Sequence, residues 1–166
     1  IMSFRKAKKI TLRKVNELIS EGIDVYYVND LNNSLVENKL KEKMVDLVVF
    51  TGGGLIKKNI LEVSGSGVLN CHMGKLPDYR GMDVIEWPLF KKDYQNIGYT
   101  IHFMDEGLDT GKILKYFNVK LQDNESILSL RARFEPMMAN NFVNTIIEYL
   151  NNKIAPKKQR KEEGKQ

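Results

Sequence analysis

A single cysteine, Cys71, stands in 166 residues. No intrachain disulfide can form, and a reducing cytoplasm is the expected compartment. Histidine is nearly as scarce, with two in the chain, and no spacing of Cys, His and carboxylates matches a recognised metal-ligand pattern. No metal site is expected. No apolar run approaches the ~20 residues of a membrane-spanning helix, the opening residues do not read as a signal peptide, and there is no internal repeat. What is present is 42% hydrophobic content, enough for one well-packed domain and too little chain for two substantial ones. The net charge of +5 gathers at the ends, in Arg5-Lys6-Ala7-Lys8-Lys9 and Lys157-Lys158-Gln159-Arg160-Lys161. Such runs can meet phosphate or RNA, but they are more often solvated chain.

The periodicity alternates between helix and strand. Leu12, Val15, Leu18 and Ile19 recur at helical spacing, and Gly22 stands where a helix C-cap belongs. Ile23 to Val28 reads as a strand. Ser34-Leu35-Val36-Glu37 has capping-box form and opens a second helix through about Met44. Asp46 to Phe50 is a short apolar run of the kind buried on both faces of a parallel sheet. A short helix over Lys57 to Val63 and a strand over Gly67 to Cys71 follow. Such alternation implies a parallel sheet with right-handed crossovers, whose ligands bind beyond the strand carboxyl ends. The pattern then changes: Asp83 to Lys92 is helical, and Gly98 to Met104 pairs antiparallel with Lys112 to Lys120. A long final helix, about Ser126 to Asn151, carries Ile127, Leu130, Phe134, Met137, Met138, Ile146, Ile147 and Leu150 on one stripe, with a kink expected at Pro136. The expected architecture is α/β: a Rossmann-like, mainly parallel sheet with helices on both faces, a C-terminal antiparallel strand pair and a long last helix. Residues 1–152 are expected to form the domain, and 153–166 a basic, disordered tail.

The chemistry concentrates at three points. Asn70 and His72 lie two apart at the end of a strand, so they share one face while Cys71 points to the other. Asp109 lies in the turn-rich segment Asp105 to Gly111, which can bring a carboxylate against the imidazole. An amide, an imidazole and a carboxylate suit a one-carbon acyl transfer. Taken alone, an Asn-x-His at a strand end is more often a satisfied turn than a catalytic pair. A thiol nucleophile at Cys71 is disfavoured because it faces away from His72. His102, inside a strand, reads as a hydrogen-bonded packing residue. Gly52-Gly53-Gly54 follows a strand but lacks the full phosphate-binding fingerprint.

Four segments in order, Asn70-Cys71-His72, Leu76-Pro77-Asp78-Tyr79-Arg80-Gly81, His102 with Asp105, and Leu108-Asp109-Thr110-Gly111, resemble the folate-dependent formyltransferases. That family includes methionyl-tRNA, glycinamide ribonucleotide and sugar-nucleotide N-formyltransferases. The resemblance implies an enzyme that moves a formyl group from 10-formyltetrahydrofolate to a primary amine, with Asn70, His72 and Asp109 catalytic. It implies a folate pocket walled by Gly53, Gly54, Leu55 and Ile56 on one side and by Glu106 and Gly107 on the other. Members usually carry bulkier residues where this chain has its glycines. Pro77, Arg80 and Gly81 would shape an acceptor-side loop, Arg80 more as a holder of that loop than as a substrate ligand. The family opens with a glycine-containing strand-loop-helix unit that this sequence does not show, and Ile1 is not a usual initiator, so an N-terminally incomplete domain is expected.

The wording of the motifs lies nearer the tRNA and sugar branches than the purine branch. An amino sugar nucleotide or other small amine is the expected acceptor, with a methionyl-tRNA formyltransferase-like enzyme as the alternative and a formyl hydrolase further off. A truncated, non-enzymatic domain that binds folate or a partner is the reading from another class. A homodimer is admitted and a membrane partner is not expected.

Overall fold

A computed structural model describes residues 13–51 and 54–159. The chain divides into two compact units, residues 1–31 and 32–166. In the first, residues 13–20 form helix α1. Its end is a Schellman cap: Ile23 N–H donates to Leu18 O and Gly22 N–H to Ile19 O, both at 3.0 Å, with Gly22 at φ +81°. Leu12, expected on the helix face, lies outside the described residues. Ile23 to Val28, expected as a strand, joins no ladder among the described residues. Alternating β-formers supply the propensity, but a strand exists only where a neighbour takes its backbone hydrogen bonds.

The second unit holds a four-stranded sheet in the order β1-β2-β3-β4, built from β1 (Val48–Phe50), β2 (Val68–His72), β3 (Gly98–Phe103) and β4 (Ile113–Asn118). β1 and β2 are parallel, whereas β2 with β3 and β3 with β4 are antiparallel. The described sheet is therefore mixed. Its parallel share rests on one pairing, because the expected first strand does not contribute. Helix α2 (Ser34–Glu42) is capped by Asn33, whose side chain accepts from Val36 N–H, and not by Ser34. Asn33 is the residue held extended, so its oxygen is the one that reaches back. Helices α3 (Lys58–Leu61), α4 (Glu86–Phe90) and α5 (Ile127–Leu150) follow, α5 running on through Pro136 from its N-cap Ser126. None of the described helices is long and apolar enough to cross a membrane.

Strand alternation sorts the side chains to two faces. Leu69 and Cys71 of β2 and Tyr99 and Ile101 of β3 pack toward α5, meeting Leu130, Phe134 and Phe142. The opposite face carries Val68, which packs with Phe50, Ile56 and Ile60. It also carries the polar residues Asn70, His72, Thr100 and His102, His72 and His102 being buried. Two expectations about burial are corrected here. Val49 is 44% exposed, since β1 is an edge strand with cover on one face only. The core contacts of α5 are Leu130, Phe134, Phe142 and Thr145, while Ile127, Ile147 and Leu150 are exposed. Ile147 and Leu150 follow buried Thr145 by two and five residues, which turns them to the side of the helix away from the sheet, whereas Tyr149 still packs on Phe103.

The segment after Asn152, expected to be disordered, is held to the sheet through residue 159. Lys157 and Ile113 exchange two backbone hydrogen bonds of 2.8 Å, which places the segment along β4.

Candidate active site

The sheet register places Asn70 opposite His102 and His72 opposite Thr100. Four polar side chains thus share the face that α5 does not cover. The loop between β3 and β4 closes over them with Asp109. Its carboxylate stands 3.6 Å from His72 Nδ1 through Oδ2 and 3.6 Å from His102 Nε2 through Oδ1. Gly81 N–H donates to Oδ2 at 2.9 Å. Asp109 takes φ +54°, a left-handed conformation that aspartate tolerates better than most residues.

Hydrogen-bond partners fix which ring nitrogens carry protons. His102 Nδ1 lies 2.8 Å from the Phe103 carbonyl; a carbonyl only accepts, so Nδ1 holds the hydrogen. Asn70 Nδ2 lies 3.3 Å from His102 Nε2 and donates to it, which a neutral ring permits. Burial pushes the His102 pKa below the ordinary histidine value, against the upward pull of Asp109. His72 Nε2 donates to Tyr79 O at 2.8 Å, which turns Nδ1 toward Asp109. Among the described residues, the second N–H of Asn70 makes no hydrogen bond, and Asn70 lines the cleft.

That cleft has a volume of about 620 Å³. Gly54, Leu55 and Ile56 form one wall, Asp105 to Asp109 the other, and Asn70 and His72 the floor. Lys58 Nζ reaches across to within 3.6 Å of the Glu106 carboxylate. The second wall is stitched by Asp105, whose Oδ1 accepts from Gly107 N at 3.1 Å and from Thr110 Oγ1 at 2.6 Å. A Cβ on Gly111 would run into the Phe103 carbonyl oxygen, so the loop can return to the sheet only through a glycine.

The turn after His72 is held from beneath. Thr100 Oγ1 donates to Gly74 O at 2.8 Å and accepts from Leu76 N at 3.0 Å. A Cβ on Gly74 would fall 2.8 Å from His72 Nε2 and 2.7 Å from Tyr79 O, the two atoms that bond each other. The Leu76–Pro77 peptide is cis, and Gly81 has φ +82°. Arg80 Nη2 donates to Gln159 Oε1 at 2.7 Å.

The family model described as formyl transferase matches residues 5–146. The chain belongs to the formyl transferase family. Methionyl-tRNA formyltransferase of Clostridium perfringens (strain SM101 / Type A) is 32% identical over 162 residues, covering 95% of this chain and 52% of that protein. The Prochlorococcus marinus (strain MIT 9312) enzyme of the same name is 33% identical over 126 residues, covering 75% of this chain and 38% of that protein. This formyl transferase chain therefore spans about half the length, or less, of these curated relatives. Among solved structures, phosphoribosylglycinamide formyltransferase from Bacillus halodurans matches with a TM-score of 0.69 at 25% identity, over 82% of this chain and 74% of that one. The formyltransferase PseJ from Anoxybacillus kamchatkensis, solved with UDP-4,6-dideoxy-4-formamido-L-AltNAc and tetrahydrofolate, shares the fold. Its TM-score is 0.68 at 24% identity, over 90% of this chain and 77% of that one.

The residues singled out from sequence mostly converge. His72 and Asp109 meet directly, whereas Asn70 reaches them through His102. Gly54, Leu55, Ile56, Glu106, Gly107 and Gly81 line the cleft; Gly53 lies outside the described residues. Pro77 and Arg80 belong to the turn that supports it. The Cys71 thiol packs on the α5 side, where burial pushes its pKa up to about 12. Sequence reasoning treated His102 as packing and missed Thr100, Gly74 and Gln159. The alternation of polar Thr100 and His102 with apolar Tyr99 and Ile101 was a signal that both leave the core face. Nothing local in the sequence points to Gln159.

Proposed function

We propose that this chain carries the catalytic site of a 10-formyltetrahydrofolate-dependent formyltransferase acting on a primary amine. The observation that carries this reading is the Asp109 carboxylate set between two imidazoles at the floor of the cleft, with a free Asn70 N–H beside it. The cleft's volume, within the range of small-molecule pockets, and its lining support it as the folate site. Small and aliphatic residues form one wall, and the Asp105–Asp109 backbone offers donors and acceptors on the other.

10-Formyltetrahydrofolate supplies the formyl carbon: the amine nitrogen bonds to it, the bond to N10 breaks, and the amine's proton leaves as N10 gains one. Negative charge builds on the formyl oxygen during that exchange and needs fixed donors. The free N–H of Asn70 serves as one, oriented by the bond its partner N–H makes to neutral His102. His72 Nδ1 and Asp109 hold the departing proton. Their 3.6 Å separation is longer than a hydrogen bond, a spacing that catalytic pairs close in the substrate complex. Gly81 N–H keeps the carboxylate aimed while this occurs.

An amino sugar nucleotide or another small amine remains the acceptor this reading favours. The methionyl-tRNA alternative is supported by the curated relatives at 32–33% identity. The assay is direct. The chain is incubated with 10-formyltetrahydrofolate and, separately, an amino sugar nucleotide and methionyl-tRNA, following tetrahydrofolate release and the mass of the acceptor. A formylated sugar supports the first acceptor and formyl-methionyl-tRNA the second. Tetrahydrofolate with free formate would make the chain a hydrolase. Folate binding without any turnover would leave a non-enzymatic domain and sink the proposal.

A further inference from the structure

We propose that Gln159 is a positioning residue for Asp109, clamping the loop that carries it to the Arg80 turn. The inference rests on the reading of Asp109 as catalytic. One primary amide makes three hydrogen bonds here. Gln159 Nε2 donates to Asp109 O at 2.8 Å and to Gly111 O at 2.8 Å, and Oε1 accepts from Arg80 Nη2 at 2.7 Å. Both amide hydrogens are used, so the side chain is fixed in position and flip.

The three partners are not scattered. Asp109 O belongs to the residue whose carboxylate faces the histidines, and Gly111 O ends the same loop. Arg80 precedes Gly81, whose N–H holds that carboxylate at 2.9 Å. Gln159 therefore grips Asp109 at its backbone and, through Arg80, steadies the donor that holds its side chain. This matters because Asp109 sits at φ +54°, a left-handed conformation that persists where the surrounding structure holds it. Arg80 Nε is buried without a partner among the described residues, so the guanidinium is tied into this cluster through Gln159.

The chain reaches the clamp by a defined route. The two-bond bridge of Lys157 to Ile113 seats the backbone on β4, two residues before Gln159 and two after Gly111. A polar segment loses conformational freedom in lying there, and the contacts that offset it include this bridge and the three amide bonds. Gln159, within a basic run read as solvated chain, is thus a part of the site.

The test compares the full chain with Gln159→Leu, which removes donors and acceptor at similar length, and Gln159→Glu, which keeps an acceptor for Arg80 but loses the donors. Two readouts are taken: steady-state formyl transfer, and the pH titration of the two histidine rings by NMR. Both variants are expected to lose about 10- to 100-fold in kcat, the scale of a catalytic group displaced by about 1 Å, with KM for the folate nearly unchanged. The His102 titration midpoint is expected to move down, because a displaced Asp109 pulls less on that ring. Loss of thermal stability with unmoved midpoints and kcat would make Gln159 merely structural and overturn the proposal. A fully active Gln159→Glu would overturn it as well, by showing that the Arg80 bond suffices. A parent chain inactive toward every amine, but with midpoints that move in the variants, would remove the formyl transfer reading and leave the clamp standing.

Discussion

At the scale of single residues, Asp109 stands at the same 3.6 Å from two imidazoles that have different second partners. His102 gives its Nδ1 hydrogen to a carbonyl and takes one from Asn70, so it is held neutral and serves to aim the amide. His72 gives its Nε2 hydrogen to Tyr79 O and leaves Nδ1 toward the carboxylate. The low pKa of His102, set by burial over the opposing pull of Asp109, has a consequence for stability. In the unfolded chain a histidine binds a proton near the ordinary value of about 6.5. Below that pH the unfolded state holds more protons than the folded one, so the contribution of His102 is complete above about pH 6.5. It is lost as pH falls toward the folded-state pKa. Urea midpoints taken from about pH 7.5 down to about pH 5 are expected to decline, and to decline less steeply in His102→Gln, which stays neutral throughout. Equal slopes in the two proteins would show that this ring does not couple to folding.

At the scale of elements, the site is a product of two faces of one sheet. β2 and β3 present apolar residues to α5 and polar ones to the cleft, so α5 supports the sheet from the side opposite the cleft. Phe134, fully buried in one cluster with Ile97, Tyr99 and Leu130, anchors that support, its ring centroid 5.7 Å from that of Tyr99. Phe134→Ala is expected to destabilise the chain by about 3–5 kcal/mol, since a cavity is left where the helix meets the sheet. Leu128→Ala, on the same helix but 79% exposed, is expected to change stability by less than about 0.5 kcal/mol. Chemical denaturation of both variants makes the comparison, and similar losses would mean that α5 packs differently from what its contacts indicate.

For the molecule as a whole, the described residues that line the cleft come from the unit of residues 32–166. The proposed folate site is thus described from residues of that unit. Tetrahydrofolate should then bind and stabilise the chain in the absence of an acceptor. At a ligand concentration of about 100 times Kd the gain is about 2.7 kcal/mol, or roughly 2–4 °C of melting temperature per kcal/mol for a chain of this size. A melting curve followed with and without tetrahydrofolate checks this, and a melting temperature indifferent to the ligand would count against the cleft as its site.

The sequence by itself determined the features that short spacings encode. Period-two alternation put Asn70 and His72 on one face and Cys71 on the other, and the Leu108–Gly111 turn marked Asp109. The strand pair around it followed from two short β-rich runs, and the Schellman end of α1 from one glycine. Tertiary structure decided what depends on a partner distant in the chain. Ile23 to Val28 has strand composition but no ladder, because a strand's hydrogen bonds belong to its neighbour. His102 became a holder of Asn70 only through the register of β2 against β3. Gln159 joined the site only because the Lys157–Ile113 bridge brought its amide to two carbonyls and a guanidinium. Local periodicity records which way a side chain points. The identity of the group it meets is set by pairing across tens of residues, which no window of sequence contains.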